Sequence, residues 1–494
     1  MIQSLFVLGV LGVLAVIQIM EKKKIAVVGG GPGGYAAAFL AADLGMDVTL
    51  IDSEPNPGGV CLYRGCIPSK ALLHAAKTLT EAHEATMYGV SFSEPKIDVD
   101  KLRDWKNSVV AKMTGGLGQL SKARGVRYIE GYAKYLDANN LEVAKKDGAR
   151  ETVNFEYSIL ATGSHPTKIA AYDIGSERIW DSTAALEVRH IPKRLLIVGG
   201  GYIGLELGTA YNSFGSEVTV VEMTDGLLPG ADRDLVGVLQ KRVEEMFHRV
   251  YLKTKIVTMK EEADGIRVTF EGDGLKDDAK EQVFDNILVS VGRTPNSKNL
   301  GLENTKVVVT KRGFVETNVQ CQTAEPSVYA IGDIAGNPML AHKASHEGRV
   351  AVEVIAGHNV TFEPMAIPAV VFTDPEIAWA GLTETEAKRD GIAVEVAKFP
   401  WGASGRATTL GRNDGLTKIL FEPESHRVLG VGVAGAGAGE LIAEAALAIE
   451  MGCVADDIKL TIHPHPTLSE TVMESAEALF GQATHIYRPK KKAA

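Results

Sequence analysis

The sequence is short of cysteine, of positive charge and of long apolar runs, and each shortage closes off a class of protein. Four cysteines in 494 residues leave no framework of structural disulfides, so a reducing compartment such as the cytoplasm is the default setting. A formal net charge of −10 argues against a nucleic-acid binder, which needs a basic face for phosphates. One run is apolar enough to span a bilayer, MIQSLFVLGVLGVLAVIQIM at residues 1–20. Glu21-Lys22-Lys23-Lys24 follows it, the wrong side for the basic cluster of a secretory signal, and no small-residue cleavage site precedes it. Two readings stand: a membrane tether whose lysines hold the body on the cytoplasmic face, and a chain whose translation starts at Met20. Glycine, in contrast, is abundant, 52 residues where about 7% is usual. That suits tight backbone turns around phosphates, in a chain long enough for about three domains.

Two of the four cysteines lie in one short stretch, PGGVCLYRGCIPSK at Pro57–Lys70. Cys61 and Cys66 are close enough in sequence to close a small disulfide ring. Pro68 suits the first turn of a helix and Ala71–Ala76 continues it, which puts Cys66 just ahead of a helix N-terminus. The partial positive charge there favours a thiolate. Cys321 and Cys453 are isolated and read as small buried hydrophobes.

Lys24–Asp52 reads as strand, Gly-rich turn, helix and strand. Gly29, Gly31 and Gly34 make G-x-G-x-x-G, Gly45 ends the helix, and Asp52 stands at the end of the second strand. Glycines let the backbone approach a pyrophosphate at a helix N-terminus, and the acid accepts hydrogen bonds from a ribose. The pattern returns at Arg194–Glu222, where Gly199, Gly201, Gly204, Gly215 and Glu222 each fall 170 positions after their counterparts. The chain therefore carries a duplicated unit and two dinucleotide sites. Residues 158–163, SILATG, end a strand in Thr162-Gly163, and LVSVGR, with Gly292, is the equivalent at 288–293. Such turns suit points where the chain leaves or re-enters a nucleotide domain.

Leu102–Leu120 reads as a helix, with strands in Val126–Tyr135 and Leu141–Tyr157. Ser327–Asp333, SVYAIGD, is a strand that places Asp333 where a sugar-like hydroxyl chain can be held. From about Ile367 the composition shifts to sheet at Val370–Val371, Lys418–Phe421 and Val428–Val433 and helix at Gly439–Glu450. No further G-x-G-x-x-G with a strand-end acid occurs there, so this region reads as an assembly domain. In HPHPTLSETVMESA, His465 with Glu470 nearby is the arrangement of a positioned general base, and a surface histidine beside a helix-opening glutamate is the alternative. His463, without a carboxylate neighbour of its own, reads as structural. No metal site is expected, since Cys and His lack zinc-like spacing.

Together, PGGVCLYRGCIPSKALLH, GGGYIGLELG, YAIGD, AHKASHEG, VVFTDPEIAWAGLTE and HPHPTLSE make Lys24–Ala478 similar to the flavoprotein disulfide reductases, and within them to those that reoxidise dihydrolipoamide. The resemblance implies an α/β fold with two Rossmann-like domains and a C-terminal α+β dimerisation domain. It implies FAD on the first unit, at 21–168 and completed by 295–364, and NAD on the second, at 169–294. The interface domain would be 365–488, with 489–494 a basic tail. It further implies that Asp333 contacts the FAD ribityl chain, that the segment opened by Ala341 touches the flavin, that Lys70 and Glu206 pair near it, and that Tyr202 gates the nicotinamide pocket. A homodimer is implied, in which His465 and Glu470 of one chain complete the site of the other. Cys61 then meets substrate, Cys66 faces flavin, and the partner is the lipoyl-bearing acyltransferase of a 2-oxoacid dehydrogenase complex or a glycine-cleavage carrier protein.

Alternatives fare worse on particular residues. Glu222 repels a 2′-phosphate and Met223-Thr224-Asp225 offers no arginine, which favours NAD and disfavours a glutathione-reductase-like role. The tail HIYRPKKKAA lacks the vicinal cysteines of mercuric reductases, and intact Cys61, Cys66 and His465 disfavour a silent FAD-binding scaffold. One departure is Leu-Tyr-Arg-Gly between the cysteines where many relatives have Leu-Asn-Val-Gly. Arg64 either points at the pair and stabilises thiolate or faces solvent.

Overall fold

The computed structural model describes residues 22–273 and 275–487. The apolar run at 1–20, on which the tether reading depends, and the basic tail lie outside the described residues. Among the described residues no helix is long and apolar enough to cross a membrane.

Packing divides the chain into two compact units. One gathers the described residues up to Gly59 with Thr114–Gly163 and Pro295–Phe362; the other gathers Val60–Met113, Ser164–Thr294 and everything from Glu363. Two of the crossings fall at the strand-end turns of SILATG and LVSVGR. The segment 60–113 groups with the second nucleotide unit and not, as the boundary at 168 had it, with the first. The physical reason is its helix Cys66–Glu84, whose Leu72 and Ala76 are buried in one core with Leu205, Leu207 and Ala210 of helix Tyr202–Ser213. Burying one such leucine contributes about 1.5–3 kcal/mol.

In the first unit a seven-stranded sheet runs in the order Val328–Ala330, Tyr157–Leu160, Lys24–Val28, Asp47–Asp52, Arg127–Tyr135, Asn140–Lys145, Arg150–Asn154. The first five strands are parallel, and the last two continue the sheet by antiparallel pairing, each with the strand before it. Ile25–Val28 is buried throughout, which is why the run reads as uninterrupted apolar residues. Helix Val99–Ala123 contains the expected 102–120.

In the second unit the parallel sheet runs Arg249–Tyr251, Glu217–Val221, Arg194–Val198, Asn286–Val289, Ile179–Trp180, beside an antiparallel meander over Thr254–Glu262, Gly265–Gly272 and Glu281–Phe284. Its C-terminal part is an antiparallel sheet in the order Ala369–Val371, Glu376–Gly381, Val428–Gly435, Leu416–Phe421, Glu395–Pro400, covered by helices Ala438–Glu450 and Glu470–Leu479. The α/β fold with an α+β C-terminal region is as expected.

Candidate active site

The duplication holds at the level of single hydrogen bonds. Gly29 donates its N–H to Ile51 O at 2.8 Å, and Gly199 donates to Val221 O at 2.9 Å. Asp52 accepts from the N–H groups of Gly30 and Glu54, and Glu222 from those of Gly200 and Thr224. Each partner is again displaced by 170 positions. Gly29 and Gly199 have φ of +106° and +104°, a region that favours glycine. A Cβ on Gly34 would sit 1.8 Å from Gly29 O, whereas Gly201 has nothing within 4 Å. Helices Pro32–Asp43 and Tyr202–Ser213 open at Gly31 and Gly201 with no side-chain cap. Their first N–H groups are therefore available to a phosphate, so both cradles fit a dinucleotide. Tyr202, the first helical residue of the second cradle, is 41% exposed.

Around the first cradle the structure collects the other expected residues of that unit. Thr162 Oγ1 donates to Asn296 O at 2.9 Å, and Gly163 O accepts from Asn296 N–H at 2.9 Å. Gly292 O accepts from Thr167 N–H at 3.0 Å in the second unit. Asp333 lies in the turn Gly332–Ile334, after strand Val328–Ala330, and Ala341 opens helix Ala341–Ala356. A pair missed in the sequence supports that turn. Glu347 Oε2 accepts from Gly332 N–H at 2.6 Å, and its Oε1 lies 2.7 Å from Lys343 Nζ, both side chains being buried. Their i,i+4 spacing inside AHKASHEG was the available signal.

Cys61 sits in the short helix Gly59–Arg64, and Cys66 is the first residue of helix Cys66–Glu84, one step further in than expected. Neither is in a disulfide. The Cys61 thiol donates to the Cys66 sulfur. That bond, helped by the Lys70 ammonium and opposed by burial and by Glu206, lowers Cys66 to about 7. The same bond, with burial adding, pushes Cys61 far up. Of the two, Cys66 is the thiol that ionises more readily, at a helix N-terminus that favours the thiolate.

Lys70 Nζ lies 2.7 Å from Glu206 Oε2, which also accepts from Ser69 Oγ at 3.1 Å. Glu206 Oε1 accepts from Phe372 N–H at 3.1 Å. The carboxylate is 3% exposed, so every oxygen needs such a partner. Ser69 and Phe372 were not read from the sequence. The charges acting on Cys66 are those of Lys70 and Glu206, while the Arg64 guanidinium stands 5.9 Å from the centre of the Tyr63 ring.

His465 Nδ1 donates to Glu470 Oε1 at 2.9 Å, and Glu470 Oε2 accepts from Thr467 N–H at 2.8 Å. Burial presses the Glu470 carboxyl upward, but Thr467 N–H and His465 outweigh it and hold the group below the usual carboxylate range. With Nδ1 engaged, Nε2 is the atom that can take a proton, on a side chain 72% exposed. His463 does have a carboxylate partner, contrary to expectation. Its Nε2 lies 2.7 Å from Glu444 Oε1 and its Nδ1 2.8 Å from Thr461 O, with the side chain 5% exposed. It anchors the loop that carries His465.

One group of carboxylates among the described residues, Asp232, Asp234 and Glu384, has metal-like convergence. Lys418 Nζ lies 2.6, 2.8 and 2.8 Å from the three, so an ammonium stands where a cation would.

Duplicated cradles, a dithiol on a helix N-terminus and a carboxylate-held histidine are thus brought together in one chain. The chain belongs to the pyridine nucleotide-disulphide oxidoreductase family, which residues 23–348 match, while residues 367–476 match the family's dimerisation domain. Among curated relatives, the dihydrolipoyl dehydrogenase of Haemophilus influenzae is 49% identical over 471 residues, covering 95% of this chain and 98% of the relative. That of Vibrio cholerae is 48% identical with the same coverage. Among solved structures, LpdA from Mycobacterium tuberculosis superposes with a TM-score of 0.86 at 26% identity, over 92% of this chain and 99% of that one.

Proposed function

We propose that this chain reoxidises dihydrolipoamide to lipoamide with NAD⁺ as acceptor, the dihydrolipoyl dehydrogenase reaction, through the Cys61–Cys66 couple. The observation that carries the reading is the dithiol itself, Cys66 opening helix Cys66–Glu84 with Cys61 five positions before it, the Cys66 thiol lowered chiefly by its hydrogen bond with Cys61 and then by the Lys70 ammonium. The family and the relatives support it across nearly the whole chain.

In the oxidised pair, His465 Nε2 takes a proton from one thiol of dihydrolipoamide, and the thiolate attacks Cys61 Sγ. The Cys61–Cys66 bond breaks and Cys66 leaves as thiolate, the form its helix terminus and Lys70 favour. The second substrate thiol, deprotonated in turn, attacks the substrate sulfur bonded to Cys61. That closes the lipoyl ring and releases Cys61, which recovers a proton. When bound, FAD would supply the two-electron chemistry that links the dithiol to NAD⁺. The net change is one dihydrolipoamide and one NAD⁺ to one lipoamide, one NADH and one proton.

Gly29, Gly31 and Gly34 with helix Pro32–Asp43 would hold the FAD pyrophosphate, Asp52 the adenosine ribose, and Asp333 the ribityl chain. Gly199, Gly201, Gly204 and Glu222 do the same for NAD⁺, and Tyr202 covers the nicotinamide. Glu222 faces that ribose with no arginine in the three residues after it, which excludes a 2′-phosphate. Two copies pair through the dimerisation domain, so that His465 and Glu470 of one protomer serve the cysteines of its partner. The electron donor is a lipoyl arm on an acyltransferase of a 2-oxoacid dehydrogenase complex or on a glycine-cleavage carrier. The test is NAD⁺ reduction by dihydrolipoamide, run beside NADP⁺, oxidised glutathione and Hg²⁺. Activity confined to the NAD⁺ assay and lost in Cys66→Ser is expected, and turnover of glutathione or Hg²⁺ in its place would overturn the reading.

A further inference from the structure

We infer that Phe372 is a positioning residue for the redox pair, its ring fixing the Lys70 ammonium and its backbone N–H fixing Glu206, so that the two charges stay at set places relative to Cys66. The inference rests on the proposed function, since it concerns how the dithiol is tuned.

Three observations converge on this one residue. The Lys70 Nζ stands 4.5 Å from the centre of the Phe372 ring, within cation–π range. The same residue's N–H donates to Glu206 Oε1 at 3.1 Å, the carboxylate oxygen that Lys70 and Ser69 leave unused. The turn that presents Phe372 is itself anchored. Strand Ala369–Val371 pairs with Glu376–Gly381 through Val371 and Ile377. Thr373, buried in the turn, donates its hydroxyl to Pro375 O at 2.8 Å. Asp374 holds Arg242 at 3.2 Å and Arg412 at 2.6 Å. Arg242 also binds Glu84, the last residue of the helix that starts at Cys66. One hairpin turn therefore touches that helix's ion-pair partners at both ends, Glu206 through Phe372 and Arg242, the partner of Glu84, through Asp374.

A lysine is where such help matters. Its four-carbon stem has several rotatable bonds, and holding its charge at one point costs much rotamer entropy. Lys70 lowers the Cys66 thiol and Glu206 raises it. If the ammonium swings away, the carboxylate remains, fixed by Ser69 and Phe372, and its influence on Cys66 goes unopposed. Losing the ring therefore moves Cys66 toward the neutral thiol.

The test uses the holoenzyme carrying Cys61→Ser, in which Cys66 is the lone thiol of the pair and its ionisation is read from the long-wavelength absorbance of a thiolate beside oxidised flavin, followed against pH. Phe372→Leu should move that titration upward by about 0.5–1 unit. Phe372→Tyr, which keeps the π face, should titrate with the parent. Phe372→Met replaces the leucine variant if the latter does not fold. In a Lys70→Met background, Phe372→Leu should add no shift. A leucine or methionine variant that titrates with the parent overturns the inference, and so does a shift that persists without Lys70. A parent that shows no long-wavelength band at any pH overturns the proposed function, and the inference falls with it.

Discussion

Replacing Glu470 by glutamine separates the proton route from the electron route. In the structure the carboxylate serves two donors at once, His465 Nδ1–H at 2.9 Å and Thr467 N–H at 2.8 Å. A glutamine amide has one oxygen and one NH₂, so with the oxygen kept on Thr467 the NH₂ meets His465 Nδ1, which must either face a donor or move its proton to Nε2, where the ring can no longer act as base. Either the imidazole loses its orientation or the loop before the helix loses its latch. A hydrogen bond to a charged group contributes about 1.5–3 kcal/mol, and at about 1.4 kcal/mol per decade its loss lowers the rate with dihydrolipoamide roughly ten- to hundredfold. The control is reduction of a small one-electron acceptor by NADH, which needs the nucleotide cradles and flavin but no substrate thiol. That rate should be unchanged in Glu470→Gln. Equal losses in both assays, or none in either, would refute a role in thiol deprotonation. The pH dependence has a definite sign. A carboxyl held below its ordinary value of 4.5 contributes to the loop's stability above that value, and the contribution is lost as pH falls through the depressed folded value.

Three further outcomes follow from the same geometry. Lys418→Met removes an ammonium that is 1% exposed and touches three carboxylates; the buried Asp232 is left uncompensated, and denaturant unfolding should show a loss of about 3–5 kcal/mol, while an unchanged midpoint would mean that the carboxylates are paired elsewhere. Glu347→Gln leaves Lys343 buried without its charge partner and loosens the Gly332–Ile334 turn under Asp333; faster release of flavin on dilution, followed by fluorescence, is expected, and unaltered retention would remove the pair from cofactor binding. Cys321, pushed up to about 12 by burial, should resist iodoacetamide in the native protein under conditions that label the reduced Cys61–Cys66 pair, and mass spectrometry of the labelled peptides checks it.

What the sequence disclosed was what is encoded locally. The glycine loops, the strand-end acids and the helix that starts at the cysteine pair each depend on residues within about thirty positions, and their 170-residue repetition is carried by backbone geometry that only glycine tolerates. His465 and Glu470 were legible for the same reason, being five residues apart. What stayed hidden depends on packing between distant segments. Lys70 and Glu206 are 136 positions apart and were paired only through the family resemblance. Nothing in VVFTDPE marks Phe372 as their common neighbour. The carboxylate partner of His463 is not legible because Glu444 lies 19 positions earlier, on helix Ala438–Glu450. The placement of 60–113 follows from which helix face Leu72 and Ala76 bury, a choice that amphipathicity alone leaves open.

If Cys61 and Cys66 pass electrons from a dithiol to NAD⁺, one labelling experiment reads it directly. The oxidised holoenzyme is mixed with one equivalent of dihydrolipoamide and no NAD⁺, then alkylated and digested. Label appearing on Cys61 and Cys66 together, and disappearing when NAD⁺ is added first with NADH formed in equal amount, is the result predicted. Label absent from those two cysteines while NADH still forms would contradict the account.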